Sequence, residues 1–272
     1  MEKPATALSP ANKFEPWRML LWLLMAQIMV AFIGRSLGPL GVLIEEDLSL
    51  TKAQVGLLPS ALFLGQAVAS IPTGFLADRF GSRPLLMVMS VTLGVSFLLM
   101  TLQHNYVLVL LLIVIGGIGY GGMHPTTNRG IVYWHEQKQR GTAMGIKQMG
   151  ITFGSALAAI LLLPLAETHG WRVVVLLACI GLIVTGVIAY FLYSDPEQEK
   201  DYNRVKGAPG STFKSIAAMA KNKALLLISL CAMGINGSQM ALNTYLVLFA
   251  YEQLGINLVL AGLLLAVSEV GG

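Results

Sequence analysis

The chain has 272 residues, 55% of them hydrophobic and 12% charged, with a formal net charge of +4. A soluble domain carries about a quarter charged residues, so this composition cannot cover a water-facing surface and excludes an ordinary soluble globular protein. Two cysteines, Cys179 and Cys231, lie inside apolar stretches and point to neither a disulfide framework nor a metal site.

The apolar residues fall into eight blocks: about 19–43, 54–77, 84–102, 106–130, 141–165, 172–193, 223–249, and 258 to the end. Crossing a hydrocarbon core as helix takes about 20 such residues. Lipid offers no partner to an open backbone, so all eight blocks are predicted to be membrane-spanning helices. The run after Trp17 is too long for a cleavable signal, and no small-residue cleavage site follows it. Of the 18 basic residues, 13 lie before block one or between blocks two and three, four and five, and six and seven, counting Lys223 at the first position of block seven. Two lie at the opposite side, Lys52 in a loop and Arg172 at the first position of block six, and three lie deeper within blocks. Basic residues gather on the cytoplasmic side, which predicts a cytoplasmic N-terminus. The positive charge then reflects topology and not nucleic-acid binding.

Block one contains Arg35, roughly 25 Å along a helix from Arg18 at 1.5 Å per residue. A charge at that depth is costly unless it faces a polar cavity or a partner. Ser36, Gly38 and Pro39 beside it would loosen the helix and open a cavity. Arg35 reads as an anion-binding guanidinium that holds a carboxylate or phosphate through paired hydrogen bonds. The alternative is a structural pair with an acid elsewhere. Blocks two and three are joined by GFLADRFGSRP, Gly74 to Pro84. Its glycines, Gly74 and Gly81, are expected to permit close helix approach and a sharp turn around Asp78, Arg79 and Arg83.

Block four contains Gly117-Ile-Gly119-Tyr-Gly-Gly122, which fits a dinucleotide fingerprint but lacks the preceding strand that motif needs; close helix packing accounts for it. His124, in the same block, is either a group titrating near neutral pH or a hydrogen-bonded core histidine. Arg129, near the inner end, suits gating with Asp78 or interfacial anchoring. His135-Glu136 begins an HExxH pattern, but residue 139 is Gln, so the zinc site fails. Block five holds Lys147 two turns past Arg140, with Gln148 beside it and glycines 145, 150 and 154 expected to allow close approach. Lys147 either faces the substrate or snorkels to the nearby surface.

From Ser194 to about Asn222 the chain is charged and contains Pro196, Gly207, Pro209 and Gly210, a linker composition. Phe213 to Ala220 is expected to form a short amphipathic helix there. On block seven, Asn236, Gln239 and Asn243 recur at helical spacing and, with Tyr245, line a cavity or join helices together. Glu269, well inside block eight, is a proton carrier or the partner of a core arginine. A shift of 206 residues aligns Glu46 with Glu252, Gly56-Leu57-Leu58 with Gly262-Leu263-Leu264, and Gly65 with Gly271. Six spans, a linker and a restart in the same orientation suggest parallel repeats.

Gly74-Phe-Leu-Ala-Asp78-Arg79-Phe-Gly81-Ser-Arg83-Pro84 resembles the signature turn of the major facilitator superfamily, and it lies between spans two and three as in that family. HPTTNRGIVYWHEQKQRGTAMGIKQMG and Gly170-Trp171-Arg172 resemble the organic-anion branch, which carries sugar phosphates, hexuronates and related carboxylates. Within it, Pro125, Arg129, Trp134 and Arg140-Gly141 look like the span-four-to-five hairpin of the sugar-phosphate carriers. Arg35 matches the position where many members hold a substrate-binding arginine. The resemblance departs at Gly34, where several relatives place an aspartate as a proton site. It implies an all-α integral membrane protein with a complete six-helix N-terminal bundle over 1–193, a cytoplasmic linker over 194–222, and the first two helices of a C-terminal bundle over 223–272. On this expectation the sequence is a piece lacking about four of the family's spans.

The resulting functional expectation is a secondary carrier in the inner membrane. It moves a small organic anion by alternating access, with proton-coupled uptake. Arg35, Lys147, Gln148, Asn236, Gln239, Asn243 and Tyr245 form the substrate site. Asp78, Arg79, Arg83 and Arg129 gate it by latching the two bundles together, as the resemblance implies. Glu269 and His124 are the proton-coupling candidates. No cofactor, metal or enzymatic reaction is expected, since no phosphate loop, nucleophile–base pair or metal cluster occurs in the sequence. Partners are the anion, a proton or other coupling ion and lipid, with the protein working as a monomer. Block five lacks the Gly-Pro pair of drug–proton antiporters, which favours import. The alternatives are an efflux pump of the same superfamily or a transporter-like ligand sensor.

Overall fold

The computed structural model describes residues 14–195 and 222–271. The described elements are α1 (Glu15–Gly34), α2 (Gly41–Leu48), α3 (Lys52–Phe80), α4 (Ser82–Thr101), α5 (Tyr106–Trp134), α6 (Gln137–Leu157), a π turn (Ala158–Leu162), α7 (Leu163–His169), α8 (Trp171–Leu192), α9 (Lys223–Glu252) and α10 (Leu258–Gly271). Among the described residues, seven segments are long and apolar enough to cross a membrane: α1, α3, α4, α5, α6 through α7, α8 and α9. They follow the first seven apolar blocks. Block eight forms α10, a shorter helix of 14 residues. The expected helix over Phe213–Ala220 lies outside the described residues.

Block one is not a single helix. α1 stops at Gly34, and the chain turns through Arg35–Leu40 before α2 begins. Pro39 has no N–H to donate to the carbonyl four residues back, and it disfavours helical backbone at Gly38. Ser36 Oγ donates to the Ile33 carbonyl at 2.7 Å, turning the chain locally. This break places Arg35 at a helix end, where its side chain is free to reach sideways.

Helix starts are encoded locally. Thr51 and Gln54 form a reciprocal capping box at α3. Asn105 and Asn222 accept backbone N–H groups at the starts of α5 and α9. Between α3 and α4 the turn needs Gly81, whose φ of +88° suits glycine. In the long α6–α7 segment a π turn precedes Pro164 and absorbs the missing backbone donor.

α3 lies along α5, α4 along α5 and α8, and α1 along α6 and α8. The α3–α5 contact is very close. A Cβ on Gly65 would collide with the Val114 carbonyl oxygen, and one on Gly117 with the Leu62 carbonyl oxygen. The Gly117–Gly122 stretch is therefore a packing surface. Two glycine expectations are corrected: a Cβ on Gly74 or on Gly145 would meet nothing within 4 Å. Among the described residues no helix approaches at either point, because each faces away from its neighbours. Gly65→Val is expected to destabilise the bundle by about 1–3 kcal/mol, the usual penalty of overpacking, read as a lower melting temperature in detergent. An unchanged melting temperature would mean the two backbones separate freely.

Two ends of the bundle can be distinguished. One carries the Asp78 turn and the start of α9; the other carries Lys52 and the end of α9. α9 meets α2 and α3, and α10 meets α6, the π turn and α7. Lys52 Nζ lies 2.8 Å from Glu45 and also pairs with Glu252 at the end of α9. A Cβ on Gly38 would lie 2.8 Å from the Asn243 carbonyl oxygen. By contrast, residues 223–238 of α9 are exposed along their length. Among the described residues, α9 thus joins the six-helix bundle toward the Lys52 end and stands apart from it at the Asp78 end.

Candidate functional site

A cleft lies where these parts meet. Gly34, Arg35, Gly38 and Pro39 line it from the α1–α2 break, Pro59 and Phe63 from α3, and Ser155 from α6. Met240, Asn243 and Thr244 of α9 and Leu265 and Glu269 of α10 close the other wall. Its free volume is about 20 Å³, room for about one water molecule.

Arg35 dominates the cleft. Its Nε donates to the Tyr120 hydroxyl at 3.2 Å. Its Nη1 lies 3.6 Å from Glu269 Oε1 and, although buried, makes no hydrogen bond. Glu269 has a 4% exposed side chain and accepts a hydrogen bond from Asn243 Nδ2. The core arginine and the core glutamate, each read separately from the sequence, are thus partners across the two parts of the chain.

A polar stripe on α5 continues from this point. Tyr120, His124 and Asn128 recur one turn apart. The Tyr120 and His124 rings meet edge to face at 6.2 Å. Lys147 is only 3% exposed, and its Nζ donates to Asn128 Oδ1 at 2.9 Å. The Arg35 and Lys147 contacts on α5 are therefore about 12 Å apart along the helix axis. Tyr120 and Asn128 were not singled out from the sequence; their four-residue spacing around His124 was the available signal. The other expected site residues lie off this cleft. Gln148 is exposed on another face of α6. Asn236 is exposed and bonds its own helix at Ala232. Gln239 is half-buried. Tyr245 places its hydroxyl against Gly56, in the seam between α3 and α9.

The Asp78 turn is tied within the six-helix bundle. Arg129, with a 6% exposed side chain, donates through Nη1 to Asp78 Oδ1 at 2.9 Å. Its Nη2 donates to the Tyr133 hydroxyl at 3.2 Å. Arg83 Nε donates to the Tyr190 carbonyl at 2.6 Å, and its guanidinium stacks on the Tyr190 ring. Asp195 caps α4 by accepting from the N–H groups of Ser82 and Arg83 at 3.2 and 2.9 Å. Burial pushes the Asp195 carboxyl above the usual carboxylate range, while those two donors and the nearby Arg129 and Arg83 charges pull it back. Arg79 lies against the neighbouring Phe80 ring. At the other end, Trp171 Nε1 and Arg172 Nη2 both donate to Asp47 Oδ2, at 3.2 and 2.5 Å. Arg172 also donates to the Thr101 and Gln103 carbonyls. Arg140 closes the end of α5 through the Val132 and His135 carbonyls.

The Major Facilitator Superfamily profile matches residues 23–272. The chain belongs to this superfamily. A probable sulfoacetate transporter of Cupriavidus necator is 31% identical over 182 residues, covering 66% of this chain and 42% of that protein. A hexuronate transporter of Bacillus subtilis is 25% identical, covering 70% and 44%. A membrane sensor protein of Salmonella typhimurium is 23% identical, covering 82% and 54%. The chain spans about half the length of these curated relatives. Among solved structures, an inward-facing, occupied bacterial homologue of the human lysosomal transporter Spinster superposes with a TM-score of 0.75 at 22% identity, covering 96% of this chain and 60% of that one. A D-xylose–proton symporter gives 0.69 at 15% identity, covering 94% and 66%. These structures show the fold of this facilitator chain.

The paired carboxylates on Lys52 are the other charged contact joining the two parts of this facilitator chain among the described residues. Lys52→Gln is expected to shift the population toward opening at that end by several-fold, since partly exposed pairs contribute up to about 1 kcal/mol each. The measurement is a spin-label distance distribution across the α3–α9 seam. No change on substitution would assign the closure to the apolar seam alone.

Proposed function

We propose that the protein is a secondary carrier for a small organic anion, a carboxylate or phosphate ester, working by alternating access with proton-coupled uptake. The observation that carries this reading is Arg35: a largely buried guanidinium at a helix break, with a buried Nη1 donor left without a hydrogen bond inside a cleft between two parts of a facilitator fold. An anion satisfies that donor and the charge together. The named substrates of the relatives, sulfoacetate and hexuronate, are of this class. Lys147, held at Asn128, supplies a second positive charge farther along α5. Glu269 and His124 are the groups available to carry a proton.

The excess of basic residues supports a cytoplasmic position for the Asp78 turn, the N-terminus and the 194–222 linker. Closure at the Lys52 end then corresponds to an inward-facing carrier. A cysteine at the exposed Arg79 tests the orientation. Arg79→Cys is expected to resist impermeant thiol reagents in intact cells and to react in inverted vesicles; labelling from outside would reverse it. Ser82 is unsuitable as the reporter because it is buried and bonded to the Thr126 carbonyl. The sensor relative supports a second reading, in which ligand binding signals without transport. Uptake of labelled glucuronate and sulfoacetate by vesicles containing the complete carrier separates the two. Accumulation above the external level supports transport, and binding without accumulation supports sensing.

A further inference from the structure

We propose that Glu269 is a built-in stand-in for the transported anion: its carboxylate occupies the Arg35 subsite while the carrier is empty, and the incoming anion displaces it. The inference rests on the reading of Arg35 as the anion-binding group. Glu269 belongs to α10, and Arg35 to the opposite wall of the cleft. The 3.6 Å separation with no hydrogen bond from Arg35 Nη1 describes a loose pair, attracted but not bidentate. Asn243 holds the same Glu269 oxygen that faces Arg35, fixing the carboxylate at the mouth of the subsite. With room for about one water molecule, the cleft beside this pair holds no sugar-sized anion in this structure.

Competition of this kind lowers apparent affinity by the fraction of carriers in which the subsite is free. Once displaced, the Glu269 carboxylate gives up its cationic partner to the anion, and release of the anion restores the pair. The other charged or polar groups on elements packed around the site are Arg35 itself, Tyr120 and His124 on α5 and Lys147 on α6. They are shared by wild type and Glu269 variants, so a difference in binding reports Glu269.

The test is equilibrium binding of labelled sulfoacetate and labelled glucuronate to the complete, detergent-solubilised carrier near pH 7, where both probes keep their charge. Wild type is expected to bind at least one probe. Glu269→Gln is expected to bind it roughly tenfold more tightly. Asn243→Ala, which frees the carboxylate without removing it, is expected to fall between the two and supplies the result if Glu269→Gln does not fold. Equal or weaker binding by the variants overturns the stand-in while leaving Arg35 as the anion site. Binding of neither probe by any form overturns the anion reading itself, and this inference with it.

Discussion

Replacing Arg35 with Lys is expected to preserve the fold and weaken anion binding by about 1.5–3 kcal/mol, the contribution of a hydrogen bond to a charged group. That corresponds to roughly 10- to 100-fold in Kd. The guanidinium has two tasks in the structure. Its Nε reaches the Tyr120 hydroxyl, and its Nη1 points toward Glu269 with a free donor. A planar fork serves both directions at once; an ammonium on a flexible stem serves one. The charge is retained, so Glu269 keeps a counter-ion and the two walls of the cleft still meet. Binding of labelled sulfoacetate and glucuronate, read beside a melting curve, checks this. A folded Arg35→Lys carrier that binds and transports like wild type would make Arg35 a structural partner of Glu269 and remove the main support for the anion assignment.

Asp78→Asn is expected to cut initial transport rate by on the order of tenfold, about 1.4 kcal/mol, while leaving Kd for the same anion nearly unchanged. Arg129 is almost fully buried and loses the Asp78 carboxylate while keeping the Tyr133 hydroxyl. Removing one member of a buried ion pair costs about 3–5 kcal/mol, but Asp78 is 74% exposed on its side chain, so water replaces much of the lost interaction. The turn lies at the opposite end of the bundle from the Lys52 clasp and lines no part of the Arg35 cleft. Its loss therefore acts on the balance between conformations and not on the ligand. Initial-rate uptake and equilibrium binding on one preparation decide this. A loss of affinity as large as the loss of rate would place Asp78 in the binding site.

In this structure Asp78, Arg83 and Asp195 are satisfied inside the six-helix bundle. Among the described residues these contacts hold the turn together from within that bundle. Arg79 is left exposed on the surface of the turn.

Much of the fold was legible in the sequence, because the bilayer imposes length and composition on each span separately. Apolar blocks of about 20 residues, the capping residues Thr51, Asn105 and Asn222, and the glycine turn at Gly81 are local signals, and each produces its element without help from the rest of the chain. The family turn around Asp78 and the costly arginine at position 35 were readable for the same reason. The tertiary structure decided what local pattern cannot carry. Pro39 signalled a loosened helix, but that block one divides into two helices at Arg35–Leu40 was not legible, because hydropathy is blind to a proline's missing donor. Gly65 and Gly117 meet across two helices, whereas Gly74 and Gly145 meet nothing, and sequence alone does not distinguish a glycine that faces a neighbour from one that faces away. Most consequentially, Arg35 and Glu269 are 234 residues apart and come together only when α10 packs against α6 and the π turn. A single sequence records that each charge is buried and costly, but which acid answers which base depends on helix packing across the whole molecule.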